Sequence, residues 1–221
     1  MAQAFDVKKE LRELYAPPTR PTIVDVPAMT FVMVDGAGDP NEEEGAYARA
    51  VQALYSLTYT IKMSPRAGRE PEGFFEFGVP PLEGLWTFPL QQFDGVHVPK
   101  DALLWTSMIR LPEFVTPAVL ESARTEVARK KTDVDTSRAR LETWAEGLCV
   151  QIMHVGPYDT EPESVARMHA WAESQDYVVD LSDERRHHEI YLGDPRRTSP
   201  DKLKTVVRHP IRPADPAVPR S

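Results

Sequence analysis

The chain has 221 residues, 41% hydrophobic and 27% charged, with 26 basic against 34 acidic residues and a net charge of −8. This is an ordinary globular composition with length for a sizeable core. The acidic balance argues against non-specific nucleic-acid binding, which depends on neutralising phosphates, and no apolar run is long enough to cross a bilayer. A single cysteine, Cys149, excludes an internal disulfide and fits a reducing compartment. With no signal-peptide pattern at the start, the expected location is cytoplasmic.

In chain order, Phe5 to Tyr15 reads as a short amphipathic helical stretch closed by Pro17-Pro18. A strand at about residues 29–34 runs into the turn Asp35-Gly-Ala-Gly-Asp-Pro40. A helix is expected from about Asn41 to Lys62, with Glu42, Glu43 and Glu44 in its first turn, where anions are favourable. Tyr47, Ala50, Val51, Leu54, Tyr55 and Thr58 keep helical spacing. Strands follow at residues 73–79, 85–88 and 103–110, and Thr116-Pro117 opens a helix to Lys131. The basic run Arg129-Lys130-Lys131 then complements that helix's C-terminal dipole. The second half reads as a strand at 148–155, a Gly turn, a helix at about 162–175 and further strands, with Ser199-Pro200 opening another helix. The proline-rich residues 213–221 read as a disordered tail.

The halves look alike. An offset of 120 places Gly156, Asp159 and Glu163 on Gly36, Asp39 and Glu43. An offset of 83 places Pro195, Ser199, Pro200 and Leu203 on Pro112, Thr116, Pro117 and Leu120. This predicts an α+β fold of two β-α-β-β repeats, about 23–131 and 147–212, within one domain over residues 1–212. The sheet should be antiparallel with helices on one face, and the repeats related by a pseudo-twofold axis. On the offset of 83, Glu189 falls on Thr106 and Tyr191 on Met108, so one copy alone carries a carboxylate in mid-strand.

There is no Gly-x-Ser-x-Gly elbow, phosphate-cradling loop or dinucleotide fingerprint, so no cofactor is expected. The six histidines lack metal-ligand spacing. His187-His188-Glu189 groups three potential ligands, but strand alternation turns His188 away and no metal is expected. The same alternation puts His187, Glu189 and Tyr191 on one face, with Ile190 and Leu192 on the other. Trp105, Trp144 and Trp171 read as packing residues.

His188-Glu-Ile-Tyr-Leu-Gly-Asp-Pro-Arg-Arg-Thr-Ser-Pro-Asp-Lys-Leu-Lys-Thr205, closing on Val-Arg-His-Pro-Ile211, resembles the C-terminal signature of GyrI-like small-molecule-binding domains. His154-Val-Gly-Pro-Tyr-Asp159 resembles the strand-turn opening their second repeat. Phe5-Asp-Val-Lys-Lys-Glu-Leu11, Tyr15-Ala-Pro-Pro18, Pro80-Pro-Leu-Glu-Gly-Leu-Trp86 and Trp105-Thr-Ser-Met-Ile-Arg-Leu-Pro112 are similar to a standalone subgroup. The resemblance spans residues 5 to 212. It implies a ligand cleft between two halves, lined by a glutamate and aromatic walls, that takes bulky aromatic or cationic xenobiotics. Some relatives are drug-sensing regulators joined to DNA-binding regions. Only about 22 residues precede the first strand here, too few for such a module. The standalone subgroup contains cyclopropanoid cyclopropyl hydrolases, which open the strained ring of DNA-alkylating compounds.

These expectations name a site. Glu189 is the counter-ion or general base, and Tyr191 or Tyr158 the hydroxyl donor to the ligand carbonyl. Trp86 is an aromatic wall, and Thr106, Met108 and His187 are further ligand contacts. The expected partner is a small aromatic molecule rather than nucleic acid or a membrane. Non-catalytic binding or sensing, or a gyrase-inhibitor-type adaptor role, stand as alternatives.

Overall fold

The computed structural model describes residues 4–87 and 100–214. Phe88 and His97, and the tail from residue 215, lie outside the described residues. In chain order the elements begin with α1 (Val7–Glu10), α2 (Arg12–Tyr15), β1 (Thr22–Val26), β2 (Met29–Ala37), α3 (Ala46–Lys62), β3 (Leu82–Thr87) and β4 (Leu104–Arg110). They continue with α4 (Pro117–Lys130), β5 (Arg140–Trp144), β6 (Gly147–Val155), α5 (Glu161–Ser174), β7 (Tyr177–Val179), β8 (His187–Tyr191) and β9 (Lys204–Pro213). They form two compact units, one from Met1–Glu10 with Met29–Trp144, the other from Leu11–Ala28 with Ala145–Ser221. Among the described residues no helix is long and apolar enough to cross a membrane.

The first unit carries an antiparallel sheet in the order β3-β4-β2-β5. Its long helices pack on one face, where α3 brings Leu54, Leu57 and Ile61 and α4 brings Leu120 and Val127 against Val32, Val34, Trp105 and Ile109. Thr116 caps α4 by accepting from the Val119 amide at 3.3 Å, with Pro117 at the first helical position. The indole of Trp105 passes directly over Gly36, where a Cβ would lie 2.0 Å from Cη2. Glycine is required there by close approach.

The second unit orders its strands β1-β6-β9-β8, all antiparallel, with β7 pairing on β9. Met168 and Ala172 of α5 cover Val150, Ile152, Val207 and Ile211. On the opposite sheet face is a buried polar network. Arg208 donates to Glu146 at 2.9 Å, to Gln151 Oε1 at 3.0 and 3.1 Å, and to the Leu14 carbonyl at 2.8 Å. His188 Nδ1 meets the same Glu146 oxygen at 3.0 Å, and Gln151 donates to the Glu13 carbonyl at 2.6 Å. The network holds the turn of α2 against β6 and β9.

Several expectations are corrected. Residues 73–79 form no strand beyond a single bridge from Phe77 to Phe5, because Gly73 has a positive φ of 75° and Pro80-Pro81 follow without amide donors. Glu42, Glu43 and Glu44 precede α3 rather than entering it. Asp39 Oδ1 accepts from the Asn41 amide at 2.8 Å, and Glu44 sits at φ 58°, so the chain turns until Gly45. Ser199-Pro200 opens only a 3-10 turn, since β9 follows at once. Residues 23–26, assigned to the first repeat, belong to β1, which lies beside β6 in the second unit.

The repeat itself stands on a different alignment. In the first unit β3, the strand after α3, ends the order and β4 lies inside it; in the second, α5 is followed by the short β7 on β9, then by β8, which ends the order, and by β9 inside it. β3 therefore corresponds to β8 and β4 to β9. Registers agree: Val32 pairs with Ile109 as Ile152 pairs with Val207, keeping the offset of 120 on the first strand. Ile109-Arg110-Leu111-Pro112 thus recurs as Val207-Arg208-His209-Pro210. Leu82 faces Ile109 as Glu189 faces Val207, so the counterpart of Glu189 is Leu82 and not Thr106.

Two stability predictions follow. Gly36→Ala must displace the Trp105 ring and should destabilise by about 1–3 kcal/mol in urea unfolding; an unchanged midpoint would contradict the packing. Burial alone would raise the Glu146 carboxyl, but His188 and Arg208 bring it down to about 2 from an ordinary 4.5. A depressed carboxylate contributes stability that is present above its unfolded value and is lost as pH falls from about 4.5 toward 2. Glu146→Gln should lower neutral-pH stability by about 3–5 kcal/mol and flatten that acid limb in urea titrations.

Candidate functional site

Alternation along β8 divides its residues. His188 and Ile190 are buried, while His187, Glu189 and Tyr191 are partly exposed on the other face. Because His188 is tied to Glu146 behind the sheet, Glu189 is held on the α5 side, where its partner Val207 joins the helix-facing core.

His187 Nε2 lies 3.0 Å from Glu189 Oε1 and 3.5 Å from Oε1 of Glu161, the first residue of α5. The Glu161 and Glu189 side chains are only 12% and 15% exposed. Glu161 Oε2 is buried and makes no hydrogen bond. Burial, then the charge of Glu189, pushes the Glu161 carboxyl up to about 8, against the pull of His187. Burial would lower His187, but its bond to Glu189 and the charges of both carboxylates outweigh this and raise it. Glu161 is thus held toward its protonated form beside an imidazole that is bonded to Glu189. The donor atoms of these three residues lie within 4.8 Å of one another. The bridge their spacing describes is an N–H···O hydrogen bond, and no metal is assigned to it.

Tyr158 stands in the 3-10 turn before α5, its ring edge-on to Tyr191 at 6.1 Å and 87°. Burial, with the charges of Glu189 and Glu161, pushes its hydroxyl up to about 12, so it stays a hydrogen-bond donor at neutral pH.

The second unit thus brings together Glu189, Tyr191, Tyr158 and His187 of the expected residues. Thr106 and Met108 belong to the first unit and are fully buried, Thr106 giving its hydroxyl to Asp35 at 2.5 Å. They are packing residues, and their expected place on a ligand wall is corrected. Trp86 is also in the first unit, partly exposed and stacked on Tyr47 with centroids 5.5 Å apart. Trp105, Trp144 and Trp171 pack as expected, against Tyr47, Phe31 and the α5 core. The residue that sequence reasoning missed is Glu161. Its signal was an acid just before Pro162 at a helix start, three residues after Tyr158, but only the return of β8 beneath that start gives it a partner.

The sequence pattern of the family described as GyrI-like small molecule binding domain matches residues 19–212. An uncharacterized conserved protein from Listeria innocua is 48% identical, covering 94% of this chain and 100% of its own, with a TM-score of 0.88. Two structures described as hydrolases from Listeria innocua are 46% and 47% identical, covering 94% and 95% of this chain and all of theirs, with TM-scores of 0.86 and 0.87. No curated protein matches the chain. A match over nearly the whole chain, with relatives sharing almost half its residues, makes this chain a member of the GyrI-like small molecule binding domain family.

Proposed function

We propose that the protein binds bulky aromatic or cationic small molecules and hydrolyses cyclopropanoid alkylators, with Glu189 as its reacting carboxylate. The observation that carries this reading is the pair of carboxylates, Glu161 and Glu189, set on either side of one imidazole beside two tyrosines. Glu161, raised toward its protonated form, is the acid of the pair, and Glu189 is the base. Glu189, held as the partner of His187, takes a proton from water. The water oxygen bonds to the strained carbon as the ring C–C bond breaks. The electron pair passes to the conjugated carbonyl oxygen, where a Tyr158 or Tyr191 hydroxyl donates a hydrogen bond and Glu161 supplies a proton. The hydrolase description of the two Listeria proteins supports a hydrolytic reaction.

Incubation with a cyclopropane-bearing alkylator should give the ring-opened, water-added product by mass spectrometry. Glu189→Gln keeps the shape of the side chain but removes its charge and basicity. Turnover of a neutral cyclopropanoid should fall roughly 10²–10⁴-fold while binding persists. Hydrolysis at the wild-type rate would exclude Glu189 as the base. Weakened binding of cationic ligands alone, with no product from wild type, would leave a binding protein with a counter-ion.

On the same reading Trp86, partly exposed on Tyr47, offers an aromatic surface to flat ligands. Trp86→Ala should weaken their binding by about 1–3 kcal/mol in a titration. Unchanged affinity would make Trp86 a packing residue.

A further inference from the structure

We propose that His187, His209 and His169 form a proton relay from the Glu189 carboxylate to the part-exposed side of α5. The inference rests on reading Glu189 as the reacting carboxylate. His187 Nδ1 lies 2.6 Å from His209 Nε2, and His209 Nδ1 lies 2.6 Å from His169 Nε2. Successive ring centroids are 4.8 Å apart. His209 is 3% exposed and each of its ring nitrogens faces another imidazole. Two imidazole partners in line make a continuous path. The equivalent position in the first unit is Leu111, which shows that the scaffold does not require a polar group there.

The hydrogen bonds admit an assignment that puts the charge on His187. Cationic His187 donates Nε2–H to Glu189 and Nδ1–H to His209, and neutral His209 donates Nδ1–H to His169. Moving the charge outward breaks the Nδ1–H bonds of His187 and His209 and forms Nε2–H bonds on His209 and His169. His187 and His209 end neutral and His169 ends cationic. Burial, with the neighbouring His187 and His169, pushes His209 down to about 2, so it passes the proton on without holding it. Glu189 and Glu161 face the inner end, Glu173 the outer end, and His188 and Glu146 lie behind the sheet. The path lets a proton reach or leave the neighbourhood of Glu189 while a ligand covers Tyr158 and Tyr191.

The test uses side-chain ¹⁵N NMR titration of the full chain, without ligand, for wild type, His209→Leu and His169→Gln. The glutamine can still accept from His209 Nδ1–H but carries no proton onward, so a purely structural role survives the change. In His169→Gln the His187 midpoint should move by about one pH unit although the two residues do not touch. His209→Leu should likewise leave His187 titrating alone; should that variant not fold, His169→Gln decides. A His187 titration unchanged in the folded variants overturns the relay. With a neutral cyclopropanoid, His169→Gln should lower kcat without changing KM, and added imidazole should restore it. Turnover at the wild-type rate in that variant overturns the relay whatever the titration shows. Coupled titration with no hydrolysis in wild type supports the relay and sinks the hydrolase reading instead.

Discussion

A guanidinium cannot discharge itself by losing a proton, so burying one at the centre of a sheet obliges its surroundings to supply an anion and acceptors. Arg208 is 1% exposed on β9, and the second unit is arranged around that demand. Glu146 supplies the charge, Gln151 two hydrogen bonds, and the Leu14 carbonyl holds residues of the N-terminal segment in place. His188 shares Glu146 and so fixes the phase of β8. Side chains alternate along strands. Committing Arg208 and His188 to one face therefore commits His209, His187 and Glu189 to the other. The chemistry on the α5 side follows from an ion pair it never touches.

The two units show how one scaffold serves two purposes. Arg110 occupies the place of Arg208, but it is bound to Glu113 at 2.8 Å and lies over the ring of Phe5 at 5.5 Å. Where the second unit has His209 and Glu189, the first has Leu111 and Leu82, both joined to its apolar core. At these two helix-facing positions one copy carries titratable side chains and the other keeps the same register with leucines. Burying ionisable groups is costly unless they are paired, and each member of the polar set in the second unit has a neighbour of that set.

Much of this was legible in the residues. Alternation in His187 to Leu192 identified the face that carries Glu189, and Thr116-Pro117 marked the start of α4. The Gly36 and Gly156 turns aligned the first strands correctly. The offset of 83 failed because the motif of a strand ending at proline before Ser/Thr-Pro occurs after strands of different rank. Only hydrogen-bond register distinguishes a strand at the end of its unit's order from one inside it. Ile109-Arg110-Leu111-Pro112 against Val207-Arg208-His209-Pro210 was visible but short. Glu161 and His209 were out of reach, since their roles arise from pairings between segments distant in the chain, which local pattern does not encode.

The placement of β1 bears on how the chain is made. Residues 22–26 leave the ribosome early, yet their partner strand is β6, and β6 pairs in turn with β9 near the other end of the sequence. The residues of the first unit have all been made once residue 144 has emerged. β1 must meanwhile wait as an unpaired strand through the synthesis of everything between. A strand with open edges is the kind of segment that seeks other partners. Its pairing face therefore depends, for the duration of translation, on the speed of elongation and on whatever shields nascent chains.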